Sequence, residues 1–222
     1  NFTAMCRYTP AKTVISVLNE LFSLLDVEAA NYGVEKIKTI GDAFMAAKLS
    51  TSELSPPMDE VTRVRKVSGD GLQMVRFLLR AIALTHGVAR PRSSKTSSRR
   101  LSLVSFEDAT LSIRVGLHAG PVASGIVGFE RPLYDLFGDT VNTAARLESS
   151  GEANKIQVME TTTQLFDEGL AFIEFEAGAH DVRLKGIGNS TTRFITGCRN
   201  DRDEPDHPFV SPADPLEVES NE

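Results

Sequence analysis

The stretch from Tyr134 to Arg146, Y-D-L-F-G-D-T-V-N-T-A-A-R, restricts this chain more than any other, because it sets an acid, an amide and a guanidinium on one strand-turn-helix unit. Tyr134 to Phe137 is a short extended run, and Gly138 is the break after it. Asp139 and Thr140 then offer side-chain oxygens to the unpaired amides of a helix start. Asn142 and Arg146 are four residues apart, so on a helix they project from one face and can act on one ligand together. Asp135 lies before the turn and can reach a different part of that ligand. The combination reads as a device for handling a nucleotide.

Composition bounds the rest. With 222 residues, 41% hydrophobic and 24% charged, the expectation is one soluble domain with appendages. A formal net charge of -6 argues against a general nucleic-acid binder, whose footprint is a basic surface. An anionic ligand must therefore be held by a local cluster. Cys6 and Cys198 stand near opposite ends in no metal-ligand spacing, which fits a reducing compartment better than a disulfide scaffold. No apolar run reaches the length of a membrane span, and no signal peptide is visible. The chain starts at Asn1 without Met, so it reads as an excerpt, a cytoplasmic domain with room for membrane or sensor segments outside it.

Along the chain, a helix is expected from Thr9 to about Tyr32, with Thr9 as cap, Pro10 in the first turn, and a stripe of Val14, Val17, Leu18, Leu21 and Leu25. Gly33 ends it. Glu35 to Ile40 and Ala43 to Ala47 then read as a hairpin with Gly41-Asp42 at its tip. Leu49 to Pro57 reads as loop, and Asp59 to His86 as helical, interrupted at Gly69-Asp70-Gly71. From Gly87 to Ser105 the Arg, Ser, Lys and Pro content marks an exposed, partly disordered insertion. Leu111 to His118 and Pro121 to Gly128 read as two strands paired antiparallel, with Gly116, Gly120, Gly125 and Gly128 serving close packing and turns rather than a phosphate loop. Ile156 to Met159 is expected as a strand, Glu160 to Phe166 as a short helix and Ala171 to Glu176 as a strand. A final hairpin runs from Asp181 to Leu184 and Thr191 to Thr196 around Lys185-Gly186-Ile187-Gly188. The domain so read covers 1–198, and 199–222 is an acidic disordered tail.

Three further motifs stand in order with the opening stretch: Lys36-Ile37-Lys38-Thr39-Ile40-Gly41-Asp42, the run Arg114-Val115-Gly116-Leu117-His118-Ala119-Gly120-Pro121-Val122, and Lys185-Gly186-Ile187-Gly188. Together they resemble the catalytic domain of class III nucleotidyl cyclases, and Asn1-Phe2-Thr3 resembles the end of that family's D-I-x-x-F-T motif. The resemblance implies an α/β (α+β) palm-like fold, a mostly antiparallel sheet flanked by helices, and head-to-tail dimers whose sites are built from both subunits. It also implies roles. Asp42 is similar to a metal-ligating aspartate for two Mg2+ or Mn2+ ions, its companion lying before Asn1. The amides around Phe2 and Thr3 are similar to a phosphate cradle. Asn142 resembles the asparagine that orients the ribose, Arg146 the arginine that meets charge on the α-phosphate, and Lys185 the lysine of the terminal phosphates. Asp42 would come from one subunit; Lys38, Asp135, Asn142, Arg146 and Lys185 would come from the other. Without the upstream aspartate, the stretch as numbered is expected to be inactive or very weak.

Base choice follows from donor and acceptor patterns. Adenine presents an acceptor at N1 and a donor amine at N6, which a lysine and an aspartate complement; guanine presents the reverse. Mismatched buried polar groups discriminate by roughly 10⁴-fold in a closed pocket. Lys38 and Asp135 match the pair carried by adenylyl cyclases, so ATP is the expected substrate and cyclic AMP with pyrophosphate the products of a homodimer. I-G-D-A-F and L-F-G-D-T-V-N-T-A look more like guanylyl cyclases, which keeps GTP as the alternative; a catalytically silent dimerisation module is another.

Each residue also has a plainer reading. Lys38 with Asp135 alone would be a surface ion pair worth little, Asp42 simple turn chemistry, and Asn142 with Arg146 a solvated helix face. His118 reads as structural and Cys6 as core. Arg99-Arg100-Leu101-Ser102 is similar to a basic kinase substrate motif, with Ser102 as acceptor, although a solvated basic loop is the commoner meaning of such a run.

Overall fold

In the computed structural model, whose described residues are 6–7, 9–50, 59–88, 111–167 and 173–199, helix α1 (Ala11–Asn31) buries Val14, Leu21, Leu25 and Ala29 at helical spacing. Its start differs from expectation. Pro10 has an extended ψ of 136°, so Ala11 is the first helical residue, and no side chain caps the end. The Pro10 carbonyl instead takes the amides of Thr13 and Val14 at 2.9 and 3.1 Å, which leaves Thr9 without the capping role. At the other end Gly33 sits at φ +59°, its amide donating to Ala30 O at 3.1 Å and that of Val34 to Ala29 O at 2.8 Å. These are the two bonds of a Schellman cap, which favours glycine at this place. Cys6 is exposed rather than in the core, since it precedes the helix whose face builds that core.

The hairpin of β1 (Glu35–Ile40) and β2 (Ala43–Ala47) turns at Gly41-Asp42 as expected, with a register shift between Lys36 and Lys38. Helix α2 (Glu60–Val88) is not interrupted at Gly69-Asp70-Gly71. Two glycines cost a helix about 1 kcal/mol each, and the buried face of Leu72, Val75, Leu79 and Ile82 outweighs that. Gly71 is also where α2 meets its neighbour: a Cβ there would lie 2.5 Å from Cε1 of Phe166. Asp70 bonds Lys66 one turn back at 3.0 Å.

Strand β3 is confined to Val115–Leu117. Upstream, the Ile113 backbone is engaged by Asn154, which donates its amide to Ile113 O at 2.7 Å and accepts from Ile113 N–H on Oδ1 at 3.2 Å. Nor does β4 (Ala123–Val127) pair with β3. It pairs antiparallel with β5 (Leu133–Phe137), the next strand in the chain, while β3 lies parallel to β6 (Ile156–Met159). The main sheet runs β3-β6-β9-β7, with β7 at Ile173–Phe175, and the long β9 (Gly188–Cys198) also pairs with β8 (His180–Leu184) around the Lys185 turn. Between β5 and β6 lies α3 (Asp139–Ser150), and after β6 comes α4 (Glu160–Asp167).

Both faces of that sheet are covered. Ile156, Val158, Val115 and Ile195 pack with Leu72, Val75, Leu79 and Ile82 of α2. On the opposite face Gln157 is fully buried, donating to Thr192 Oγ1 at 2.9 Å and accepting from Ser150 of α3 at 3.2 Å. Alternation along a strand with period two puts these neighbours on opposite sides. Phe2, Thr3, most of the Leu49 to Pro57 loop, residues 89–110 with Ser102, and residues 200–222 lie outside the described residues.

Candidate active site

Strict alternation along β1 would set Lys36 and Lys38 on one face. The bulge between them separates their partners: Lys36 bonds Asp26 of α1 at 2.7 Å, whereas Lys38 donates to Asp135 Oδ2 of β5 at 2.5 Å. The Asp135 side chain is 17% exposed and that of Lys38 35%, so the pair is only partly open to water. Its other oxygen, Oδ1, accepts the Leu136 amide at 2.8 Å. The bond from Lys38 and that amide hold the Asp135 carboxyl below the usual carboxylate range, against the opposing effect of desolvation. The carboxylate is thus fixed in orientation and ionised. No feature of the sequence marks the Leu136 amide as its second anchor, because every non-proline residue has one.

Helix α3 follows β5 directly. Gly138 is its N-terminal cap residue, without any side-chain capping bond, so Asp139 and Thr140 do not act as expected. Asp139 is the first helical residue, where its charge suits the helix dipole. Thr140 donates from Oγ1 to Pro121 O at 2.7 Å, which pins the helix start to the segment before β4. On the sheet side, Gly116 of β3 lets the helix backbone come close: a Cβ there would stand 2.2 Å from Ala144 O and 2.3 Å from Glu148 N. With Thr143 and Leu147 buried beneath, Asn142 is exposed and Arg146 half-buried on the outward side. Among the described residues the Arg146 guanidinium has no ion-pair partner.

His118, at the end of β3, bonds Thr162 Oγ1 of α4 at 2.8 Å through Nδ1, and burial pushes its pKa down while Asp139 opposes the shift. This is the structural histidine expected. Lys185 is exposed in the β8–β9 turn, which lines an open concavity of ≈ 490 Å³ with Arg183 and Ile187. Helix α3 packs on β8, so the Lys185 hairpin and the Asn142–Arg146 face belong to one packed unit. Asp42 stands exposed at the β1–β2 turn. Among the described residues no group of three or more His, Cys, Asp or Glu is disposed to hold a metal ion. The chain therefore brings together Lys38 with Asp135, sets Asn142 and Arg146 one turn apart on α3, and carries Asp42 on the turn of the hairpin that holds Lys38.

The described residues form an antiparallel-rich α/β domain in which Lys38 and Asp135 join two hairpins and the next helix carries Asn142 and Arg146 on its outward side. The chain belongs to the family of the adenylate and guanylate cyclase catalytic domain, whose model matches residues 1–197. It is 35% identical over 199 residues to the human atrial natriuretic peptide receptor 2, spanning 89% of this chain and 16% of the receptor. It is 32% identical over 201 residues to the germination-specific adenylate cyclase of Dictyostelium discoideum, spanning 90% of this chain and 20% of that protein. The structure of the guanylate cyclase domain of RhGC from Catenaria anguillulae in complex with GTP superposes with a TM-score of 0.65 at 28% identity, over 90% of this chain and 92% of that one. The chain thus spans about a sixth to a fifth of these two curated relatives. Among the described residues, no helix is long and apolar enough to cross a membrane.

Proposed function

We propose that this domain is an adenylate cyclase unit that converts ATP to 3',5'-cyclic AMP and pyrophosphate. The observation that carries the reading is the Lys38–Asp135 pair, a fixed donor beside a fixed, ionised acceptor. Adenine needs that order along its edge; guanine would set an N–H against the ammonium and an oxygen against the carboxylate. In the reaction the O3' to α-phosphorus bond forms as the bond to pyrophosphate breaks, with release of the hydroxyl proton. Asn142 orients the ribose, Arg146 offers a planar, permanently charged fork to the α-phosphate, and Lys185 holds the terminal phosphates as a point charge. Arg146 is available for this because, among the described residues, no carboxylate pairs with it.

Two divalent ions, Mg2+ or Mn2+, would supply charge neutralisation at the attacking and leaving oxygens when bound. The donors among the described residues do not by themselves make such a site, since no three or more of them are grouped to hold an ion. The remaining ligands would have to come from residues outside those described. A head-to-tail homodimer accords with this division and with the surface: the β4–β5 ribbon carries Ile126 and Phe129 at 74% and 100% exposure, which is apolar area suited to burial against a second copy.

Assay of both triphosphates tests the reading. ATP should be the preferred substrate, and the double variant Lys38→Glu, Asp135→Cys should move activity toward GTP; an unchanged preference would sink it. GTP is the second reading, supported by the match to a domain crystallised with that nucleotide. Absence of turnover with either nucleotide in the protein extended upstream of Asn1 would leave a silent dimerisation module.

A further inference from the structure

We propose that Gly125 is a specificity-determining position whose missing side chain keeps bare the strand face on which the purine ring lies, next to Lys38 and Asp135. The inference rests on the reading of that pair as base-selecting.

A glycine inside a strand weakens it and calls for a reason. The other described strand glycines have one. At Gly116 a Cβ would strike Ala144 O at 2.2 Å, at Gly197 it would press on Glu174 Oε2 at 3.1 Å, and Gly188 adopts φ +106°. Gly125 has neither a neighbour within 4 Å of where a Cβ would stand nor a left-handed φ. Nothing within the described chain requires glycine there. What requires it must come from outside.

The register says what. Gly125 is the antiparallel partner of Asp135, and residues directly opposite present their side chains on one face. The next pairs on that face, Ala123 with Phe137 and Val127 with Leu133, are apolar, and Val127, Leu133 and Phe137 are exposed. The bare strand at Gly125 therefore lies between apolar walls, with an ammonium and a carboxylate at its rim. A flat heterocycle carrying an acceptor and a donor on one edge fits this arrangement: its ring rests on the backbone and its edge reaches Lys38 and Asp135. A second copy's strand edge, which also carries N–H donors and C=O acceptors, is the rival occupant that the test separates from the nucleotide.

The test uses the full-length protein with Gly125→Ala and Gly125→Val, titrated calorimetrically with α,β-methylene-ATP, which carries the base, and with inorganic tripolyphosphate, which does not. Gly125→Val should weaken the nucleotide analogue by about tenfold or more and Gly125→Ala by about threefold, the graded effect of filling a pocket. Tripolyphosphate affinity, elution volume and melting temperature should be held or, for the last, raised. Analogue affinity within about twofold of the parent for Gly125→Val, below the usual effect of even one methylene in a pocket, would overturn the proposal. So would a parallel loss of tripolyphosphate binding, or a shift to monomer accompanying the loss, since the space would then belong to a second copy. Failure of the base-selecting reading shows separately, as a parent protein whose preference does not respond to the Lys38 and Asp135 exchange.

Discussion

Lys38 and Asp135, 97 residues apart, meet between Nζ and Oδ2 at 2.5 Å and so tie the first hairpin to the strand that leads into α3. The pair holds two chain segments in one register and also presents a donor next to an acceptor. Its two duties can be separated experimentally.

The acid limb of stability reports the first duty. The folded-state carboxyl of Asp135 lies below its unfolded value of about 3.9, so its contribution is present above that value and is lost as pH falls through the lowered one. Asp135→Asn cannot titrate. Urea midpoints measured from about pH 5 to about pH 2 should therefore fall more steeply for the parent than for Asp135→Asn, and parallel curves would refute the assignment.

Arg146 is predicted to matter for turnover more than for folding. It has no ion-pair partner among the described residues, so Arg146→Ala should shift stability by about 0.5 kcal/mol or less. Turnover should drop by roughly 10²- to 10³-fold with nucleotide affinity little changed. Steady-state kinetics and a thermal melt check both, and a fall in affinity equal to the fall in turnover would place Arg146 in ground-state binding instead.

His118 should be visible in stability and silent in catalysis. Burial lowers its pKa, so the neutral ring stabilises the fold above about pH 6.5 and that contribution is lost as pH falls from there through the folded-state value. His118→Gln should flatten the stability profile over that window while leaving the pH dependence of turnover unaltered. A changed pH–rate profile would mean a proton-transfer role.

Gly116→Ala should be severely disruptive. The added methyl meets backbone atoms of α3, which cannot swing aside as a side-chain tip can, so a loss of about 3 kcal/mol or more is expected from overpacking. Because α3 carries Asn142 and Arg146, activity should fall with it. Denaturant unfolding and turnover of Gly116→Ala measure the two together, and a tolerated methyl would show that α3 is free to shift.

Local elements are largely legible because their causes are local. Gly33 closes α1 in the left-handed conformation its position calls for, Gly41-Asp42 turns the hairpin, and Ile156 to Met159 and the Lys185 hairpin follow from short apolar or alternating runs bounded by turn residues. Expectation and structure part where a distant partner overrides a local rule. Gly69 and Gly71 do not break α2, because its apolar face is buried and Phe166 of α4 needs the clearance at Gly71. Strand β4 does not join β3: it pairs with β5, the next strand in the chain, while β3 lies beside β6. Thr140 does not cap α3, because its hydroxyl is drawn to Pro121.

The candidate site divides along the same line. That an acid, an amide and an arginine sit on one strand-turn-helix unit is determined by the order of residues, since a helix places Asn142 and Arg146 one turn apart whatever surrounds it. That Asp135 is ionised, held on both oxygens and faced by Lys38 rather than Lys36 was decided by the tertiary structure. It took a bulge in β1 and the approach of β5 to bring those groups together. Spacing along a chain sets which groups share an element. Only packing between elements sets which of them touch, because the energies that select the contact come from burial and pairing with residues far away in sequence.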